Sequence, residues 1–212
     1  MTHELVLYSN PQSRGRVARW MLEEVGQPYQ TEVLDYASTM KAEPYLAINP
    51  MGKVPALRHG DAVVTENAAI CAYLADAFPQ AHLAPPPGDR LRAPYYRWMF
   101  FTAGPVEYAV SNKALGFTVP PERERMIGYG TLARALDTLE TAISRAPYLA
   151  GDSFTAADLY VGSHLGFGMM FGTIDKRPAF EHYWQRLSGR PAYLRAKGID
   201  DALVAEMKKA AG

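Results

Sequence analysis

The feature that most restricts this chain is a change of pattern across one proline-rich stretch. Pro79, Pro85, Pro86, Pro87 and Gly88 crowd residues 79–88. Proline can neither continue a helix nor donate to a central strand. Before this stretch, short apolar runs alternate with helical periods; after Asp89 only helical periods follow. Residues 1–80 therefore read as a small α/β domain and residues 89–212 as an all-helical one, with a linker at 81–88.

Within the first domain, Glu4 to Tyr8 reads as a buried strand. Arg16 to Val25 reads as a helix with Val17, Ala18, Met21, Leu22 and Val25 on its apolar face, stopped by Gly26 and Pro28. Tyr29 to Leu34 is a second strand, which completes a parallel, right-handed βαβ unit. A short, poorly formed helix is expected over Met40 to Ala47. Val54 to Leu57 and Ala62 to Val64 form a hairpin around His59-Gly60-Asp61, and Glu66 to Phe78 is a helix. The order is β-α-β-α-β-β-α. Further helices are expected over roughly 89–111, 122–145, 156–171, 178–188 and 191–208.

Composition excludes several classes. With 22 basic and 22 acidic side chains the chain is neutral, whereas nucleic-acid binders carry a basic excess. At 48% apolar residues it is too hydrophobic for a disordered chain. No apolar run reaches the ~18 residues that would span a bilayer, and Met1-Thr2-His3-Glu4 does not open a signal peptide. The single cysteine, Cys71, forms no internal disulfide, so a cytoplasmic location is expected. The five histidines have no zinc-site spacing, and no metal is expected.

Five segments are candidates for chemistry. Tyr8, Ser9, Asn10 and Ser13 fall in the loop from strand 1 to helix 1, where ligands bind in open α/β sheets. Ser13 reads either as an N-cap or as a hydroxyl able to donate to a thiolate at a helix start. Val54-Pro55 opens a strand, with an ordinary trans bond or a cis bond beside a peptide-binding edge. Thr65-Glu66-Asn67 begins a helix. Thr65 suits an N-cap, and Glu66 with Asn67 suits either a solvated capping segment or a zwitterion site. Tyr95, Trp98, Met99 and Tyr108 belong to an aromatic-rich helix that is either core or the wall of an apolar cleft. Thr155 and Asp158 spell a capping box, with Asp158 buried as a structural residue.

In this order and at these separations, the segments resemble the soluble glutathione transferase family over essentially the whole chain, as a bacterial-type member with a Ser in the active loop. Asn49-Pro50-Met51-Gly52-Lys53-Val54-Pro55-Ala56-Leu57 resembles that family's NP-x-G-x-VP-x-L segment, and Thr65-Glu66-Asn67 stands where Glu-Ser is usual. Gly151 to Asp158 resembles its helical-domain capping motif. The resemblance implies a thioredoxin-like first domain and a cis peptide at Pro55. Val54 would pair with the cysteinyl part of glutathione. Glu66 and Asn67 would hold its γ-glutamyl end, and Lys53 and Lys41 its glycine carboxylate. It also implies an electrophilic substrate or peroxide in a pocket lined by Tyr95, Trp98, Met99 and Tyr108, and a homodimer built on the helices from 66 and 89.

Counting from Tyr8 puts the catalytic position at Ser13, with Arg14 adding positive potential; counting back from Pro28-Tyr29 puts it at Arg14. Tyr8, Ser9 and Asn10 are the alternatives. A non-catalytic interaction module of the same fold is the rival reading.

Overall fold

The structure, a computed structural model, describes residues 4–211; Met1 to His3, read above for a leader, and Gly212 lie outside them. The chain forms two compact units. One comprises the residues through Leu83 together with Gly189 onward, and the other is Ala84–Ser188.

The first unit is built on a four-stranded sheet in the order β2-β1-β3-β4, from β1 (Leu5–Ser9), β2 (Gln30–Val33), β3 (Ala56–His59) and β4 (Ala62–Thr65). β1 and β2 are parallel; β3 runs antiparallel to both β1 and β4. Helix α1 (Gly15–Val25) connects β1 to β2 and buries the face expected from its periodicity. Gly26 ends it in the left-handed region at φ 72°, with its N–H donated to Leu22 O at 2.9 Å. The segment expected to be a weak helix is a 3₁₀ turn at Thr39–Lys41 followed by one turn of helix, α2 (Glu43–Leu46). Helix α3 (Asn67–Ala77) follows β4.

The C-terminal helix α9 (Pro191–Ala211) belongs to this unit and packs on α1. Periodicity alone grouped it with the other helices. Its placement comes from side chains far away in sequence. Arg19, itself 1% exposed, pairs with Asp200 at 2.8 Å. Arg190 grips Glu24 through two bonds of 2.7 and 2.8 Å, and Trp20 meets Tyr193 edge to face.

The second unit contains α4 (Arg92–Phe101), α5 (Glu107–Ala114), α6 (Leu132–Ile143), α7 (Ala156–Phe171) and α8 (Pro178–Ser188). The helix expected over 89–111 is interrupted. Pro105 has no N–H to donate, and residues Thr102–Val106 form a π-helical turn between α4 and α5. The segment expected at 122–145 is a 3₁₀ turn (Pro121–Met126) and then α6, whose N-cap Thr131 accepts the Arg134 N–H at 3.2 Å. α7 is the central element and packs against α4 and α8. A Cβ at Gly166 would lie 2.7 Å from the Trp184 ring, so only glycine lets α8 approach this closely.

The capping box of Thr155 and Asp158 is formed. Asp158, 0% exposed, accepts the Leu149 N–H at 2.7 Å, the Thr155 N–H at 2.9 Å and the Tyr183 hydroxyl at 2.7 Å. Burial pushes its carboxyl above the ordinary range, and those donors pull the other way. Among the described residues no helix is long and apolar enough to cross a membrane.

Candidate functional site

One end of the sheet gathers the first-domain candidates. Tyr8 of β1 stands opposite Ala56 of β3, and Ala56 opposite Thr65 of β4. Continuing that register by one residue brings Pro55 between Ser9 and Glu66. The Val54-Pro55 bond is cis. Behind it lies an apolar cluster of Leu34, Met40, Tyr45 and Ala56, against which Tyr8, Ile48 and Val54 pack.

The approach to Pro55 is shaped by Asn49. Its Oδ1 accepts the Met51 N–H at 3.1 Å, and its Nδ2 donates to Lys53 O at 2.8 Å, closing the loop 49–53. Gly52 turns this loop at φ 56°. Lys53 O also accepts the hydroxyl of Tyr45, whose phenol burial pushes above its ordinary value. The Lys53 side chain is exposed; that of Lys41 is turned onto Gly52 O at 2.5 Å.

The loop after β1 is held by its own polar groups. Asn10 is 1% exposed; its Nδ2 donates to Leu34 O at 2.7 Å and its Oδ1 accepts the Gln12 N–H at 2.9 Å. Ser9 is equally buried. Tyr8 is half-buried, and its hydroxyl accepts from Arg58 at 3.4 Å. Ser13 is half-buried at the mouth of α1. Its Oγ accepts the Gly15 N–H at 2.9 Å and its hydroxyl donates to Asn10 O at 2.7 Å. Gly15 is buried, and a Cβ on it would overlap Ser9 Oγ. Arg14, exposed, occupies the N-cap position, which is one of the two readings of Ser13.

The start of α3 closes the site. Its N-cap is Glu66, one residue beyond the expected Thr65, at φ 66° and ψ 123° with no side-chain capping bond. That backbone is strained for a residue with a Cβ. Glu66→Gly is expected to raise the free energy of unfolding by about 0.5–1 kcal/mol, read in a urea titration, because glycine relieves the strain. Asn67 donates Nδ2 to Arg14 O at 3.1 Å and so ties α3 to the first loop; its Oδ1 is buried without a partner. One N–H of the Asn67 amide is thus committed, and its second N–H is left for a carboxylate together with the N–H groups of the first turn of α3.

In the helical unit, Tyr95, Trp98 and Met99 are closed to solvent at 0%, 6% and 3% exposure, whereas Tyr108 is 65% exposed. Among the described residues no group of three or more His, Cys, Asp or Glu side chains is placed to hold a metal ion.

Sequence reading missed two residues of α1, one of which, Arg16, bonds to the first loop. Arg16 and Arg19 both lie on α1 and pair with Asp201 and Asp200. The only signal was a pair of cations on one helix matched by Asp200-Asp201 on another, legible once the two helices are known to touch.

Comparison with known proteins agrees with this arrangement. Residues 7–82 match the family described as glutathione S-transferase, N-terminal domain, and residues 96–191 match glutathione S-transferase, C-terminal domain. Glutathione S-transferase GST-4.5 of Xanthomonas campestris pv. campestris is 29% identical, covering 92% of this chain and 99% of its own. Glutathione S-transferase 3 of Zea mays is 29% identical, covering 89% and 91%. Among solved structures, a glutathione transferase from Methylococcus capsulatus superposes with a TM-score of 0.76 at 31% identity, covering 93% of this chain and 99% of that one. A sphingomonad glutathione S-transferase complexed with glutathione superposes with a TM-score of 0.76 at 27% identity, covering 92% and 98%.

Proposed function

The chain belongs to the glutathione S-transferase family and is a glutathione transferase; from that premise we propose that Ser13 stabilises the thiolate of bound glutathione. The observation that carries the reading is that β1, β3 and β4 bring the Ser13 loop, Val54 and Glu66 to one end of the sheet. A tripeptide lying along Val54 has its γ-glutamyl amine beside the Glu66 carboxylate and its α-carboxylate at the first N–H groups of α3. Asn67 holds that end against Arg14. Lys53 faces the glycine carboxylate, with Lys41 beside it. The cysteinyl sulfur then falls beside Ser13.

A free thiol has a pKa of ~8.5 and is a few per cent ionised at neutral pH. Lowering that pKa by ~2 units takes ~2.7 kcal/mol. A hydroxyl bond to an ion supplies roughly 1.5–3 kcal/mol, and the α1 terminus a further ~0.3–1. The Ser13 proton must leave Asn10 O to reach sulfur, a loss of about 0.5–1.5 kcal/mol. Net of the bond that Ser13 gives up, the contributions total roughly 0.3–3.5 kcal/mol, so the ~2.7 kcal/mol required is met only in the upper part of that range. Asn10 O keeps the Ser13 N–H at 2.9 Å, and Gly15 N–H keeps Oγ in place, so only the proton turns.

The thiol proton passes to solvent. The thiolate then attacks an electrophilic carbon, whose leaving group departs with the bonding pair, or a peroxide oxygen, whose O–O bond breaks to release an alcohol and leave a glutathione sulfenic acid that a second glutathione converts to the disulfide and water. Of the four residues expected to meet an apolar substrate, Tyr95, Trp98 and Met99 are buried within the helical unit and Tyr108 is exposed. Homodimerisation through α3 and α4, and a cytoplasmic location where glutathione is kept reduced, complete the reading.

The test is the rate of glutathione conjugation to an aryl halide. Ser13→Ala is expected to lower kcat/KM by about 10–100-fold, the loss of one charge-assisted hydrogen bond. Isothermal titration should show glutathione still binding to that variant. Equal rates for the two proteins would remove Ser13 from the mechanism; absence of glutathione binding by the wild type would overturn the site itself.

A further inference from the structure

Arg16 occupies the first turn of α1, with its side chain 26% exposed. Its Nε donates to the carbonyl of Pro11 at 2.6 Å, and its Nη1 donates to Asp201 of α9 at 2.8 Å. Pro11 lies two residues before Ser13, inside the loop that carries it. A guanidinium is a planar fork, so two bonds in different directions fix its plane as well as its position. We infer that Arg16 is a positioning residue for the Ser13 loop and that Asp201, on the C-terminal helix, sets the orientation of Arg16. This rests on the assignment of Ser13 to the thiolate.

The alternative is that these bonds merely hold α9 to α1. Magnitudes argue against it. That attachment is already made by the buried Arg19–Asp200 pair, by the two bonds from Arg190 to Glu24 and by Arg195 with Glu23 at 3.0 Å. The Arg16–Asp201 pair is by contrast partly exposed, with Asp201 at 44%, and exposed pairs contribute little to stability. Asp201 is steadied by Lys197 on the same helix at 2.5 Å. Lys197 and then Arg16 hold its carboxyl below the ordinary aspartate range, so it is ionised at neutral pH.

On the loop side, Asn10 is fastened to Leu34 and Ser13 bonds back to Asn10. Pro11 has no N–H of its own, and its carbonyl is anchored by Arg16. Releasing that carbonyl lets the peptide between Asn10 and Ser13 pivot, and catalysis falls steeply with small misplacement.

The test is a double-mutant cycle on the full chain. Arg16→Ala, Asp201→Ala, the double variant and Arg16→Lys are compared for KM and kcat with glutathione, for the pH profile of kcat/KM and for thermal unfolding. Arg16→Ala is expected to lose roughly tenfold in kcat/KM and Asp201→Ala roughly threefold, with a higher apparent thiol pKa in both. In the Arg16→Ala background, Asp201→Ala is expected to change the rate by less than about twofold, because its effect passes through the missing guanidinium. Arg16→Lys restores charge without the fork and recovers only part of the rate.

Independent, multiplying losses would overturn the inference. So would a lower Tm in either single variant with the thiol pKa unmoved. Ser13→Ala run alongside separates the two readings: an unaltered rate there removes the Ser13 assignment, whereas a reduced rate with a wild-type Asp201→Ala removes only the role of Asp201.

Discussion

Asp158→Ala lowers the free energy of unfolding by about 3–5 kcal/mol, a large fraction of the roughly 5–15 kcal/mol that holds a domain together. The carboxylate is closed to solvent and collects the N–H groups of Leu149 and Thr155 and the hydroxyls of Thr155 and Tyr183. Removing it strands buried donors on three segments, the loop before α7, the start of α7 and α8, and each unsatisfied donor costs about 1–3 kcal/mol. Tyr183→Phe deletes one of these bonds and leaves the carboxylate its other donors, so a loss of only about 0.5–1.5 kcal/mol is expected. Urea unfolding of both variants checks the ranking. Activity per folded molecule should be retained, since Asp158 lies in the helical unit and caps a helix. An Asp158→Ala protein as stable as Tyr183→Phe would show that the donors find other partners.

The second large effect is expected where α9 meets α1. Asp200→Ala leaves the Arg19 guanidinium buried and uncompensated, at a loss of about 3–5 kcal/mol. Arg19 also donates to the hydroxyls of Tyr29 at 3.2 Å and Thr31 at 3.1 Å, which soften the loss without neutralising the charge. Replacing both partners together, Arg19→Met with Asp200→Leu, is expected to recover most of the stability, because a buried ion pair often does no better than apolar groups of similar volume. The cycle is read from thermal unfolding. If the double variant were no more stable than Asp200→Ala, the pair would be strongly favourable in its own right.

The two interfaces differ in how far the sequence foretells them. The Asp158 network is written locally, since Thr155, Asp158 and the apolar run after them are contiguous and follow the capping rule. The end of the sheet is legible in part. The helix start at 66 can be read from neighbouring residues, whereas the residues alone allow Val54-Pro55 to be either trans or cis, and the cis bond and the 49–53 segment are expected only from the family resemblance. Turn chemistry explains the small differences there: the N-cap falls on Glu66 instead of Thr65, and Arg14 holds the N-cap place that is one of two readings of Ser13.

Arg19 shows what is not legible. On α1 it lies beside a clear apolar stripe and reads as a solvated cation, because the helix that covers it comes about 180 residues later. The same distance hides the bond of Arg16 to Asp201. Pro105 illustrates a third kind of miss. Periodicity survives the π-helical turn closely enough that one long helix looks continuous.

Cys71 sits within α3, fully enclosed, and its burial pushes the thiol above its ordinary value. The chain has no other cysteine. Sulfur attacks as a thiolate, so the protein brings no reactive thiol of its own to the compounds it processes. Alkylating agents that inactivate enzymes through an exposed cysteine find no such target on this chain.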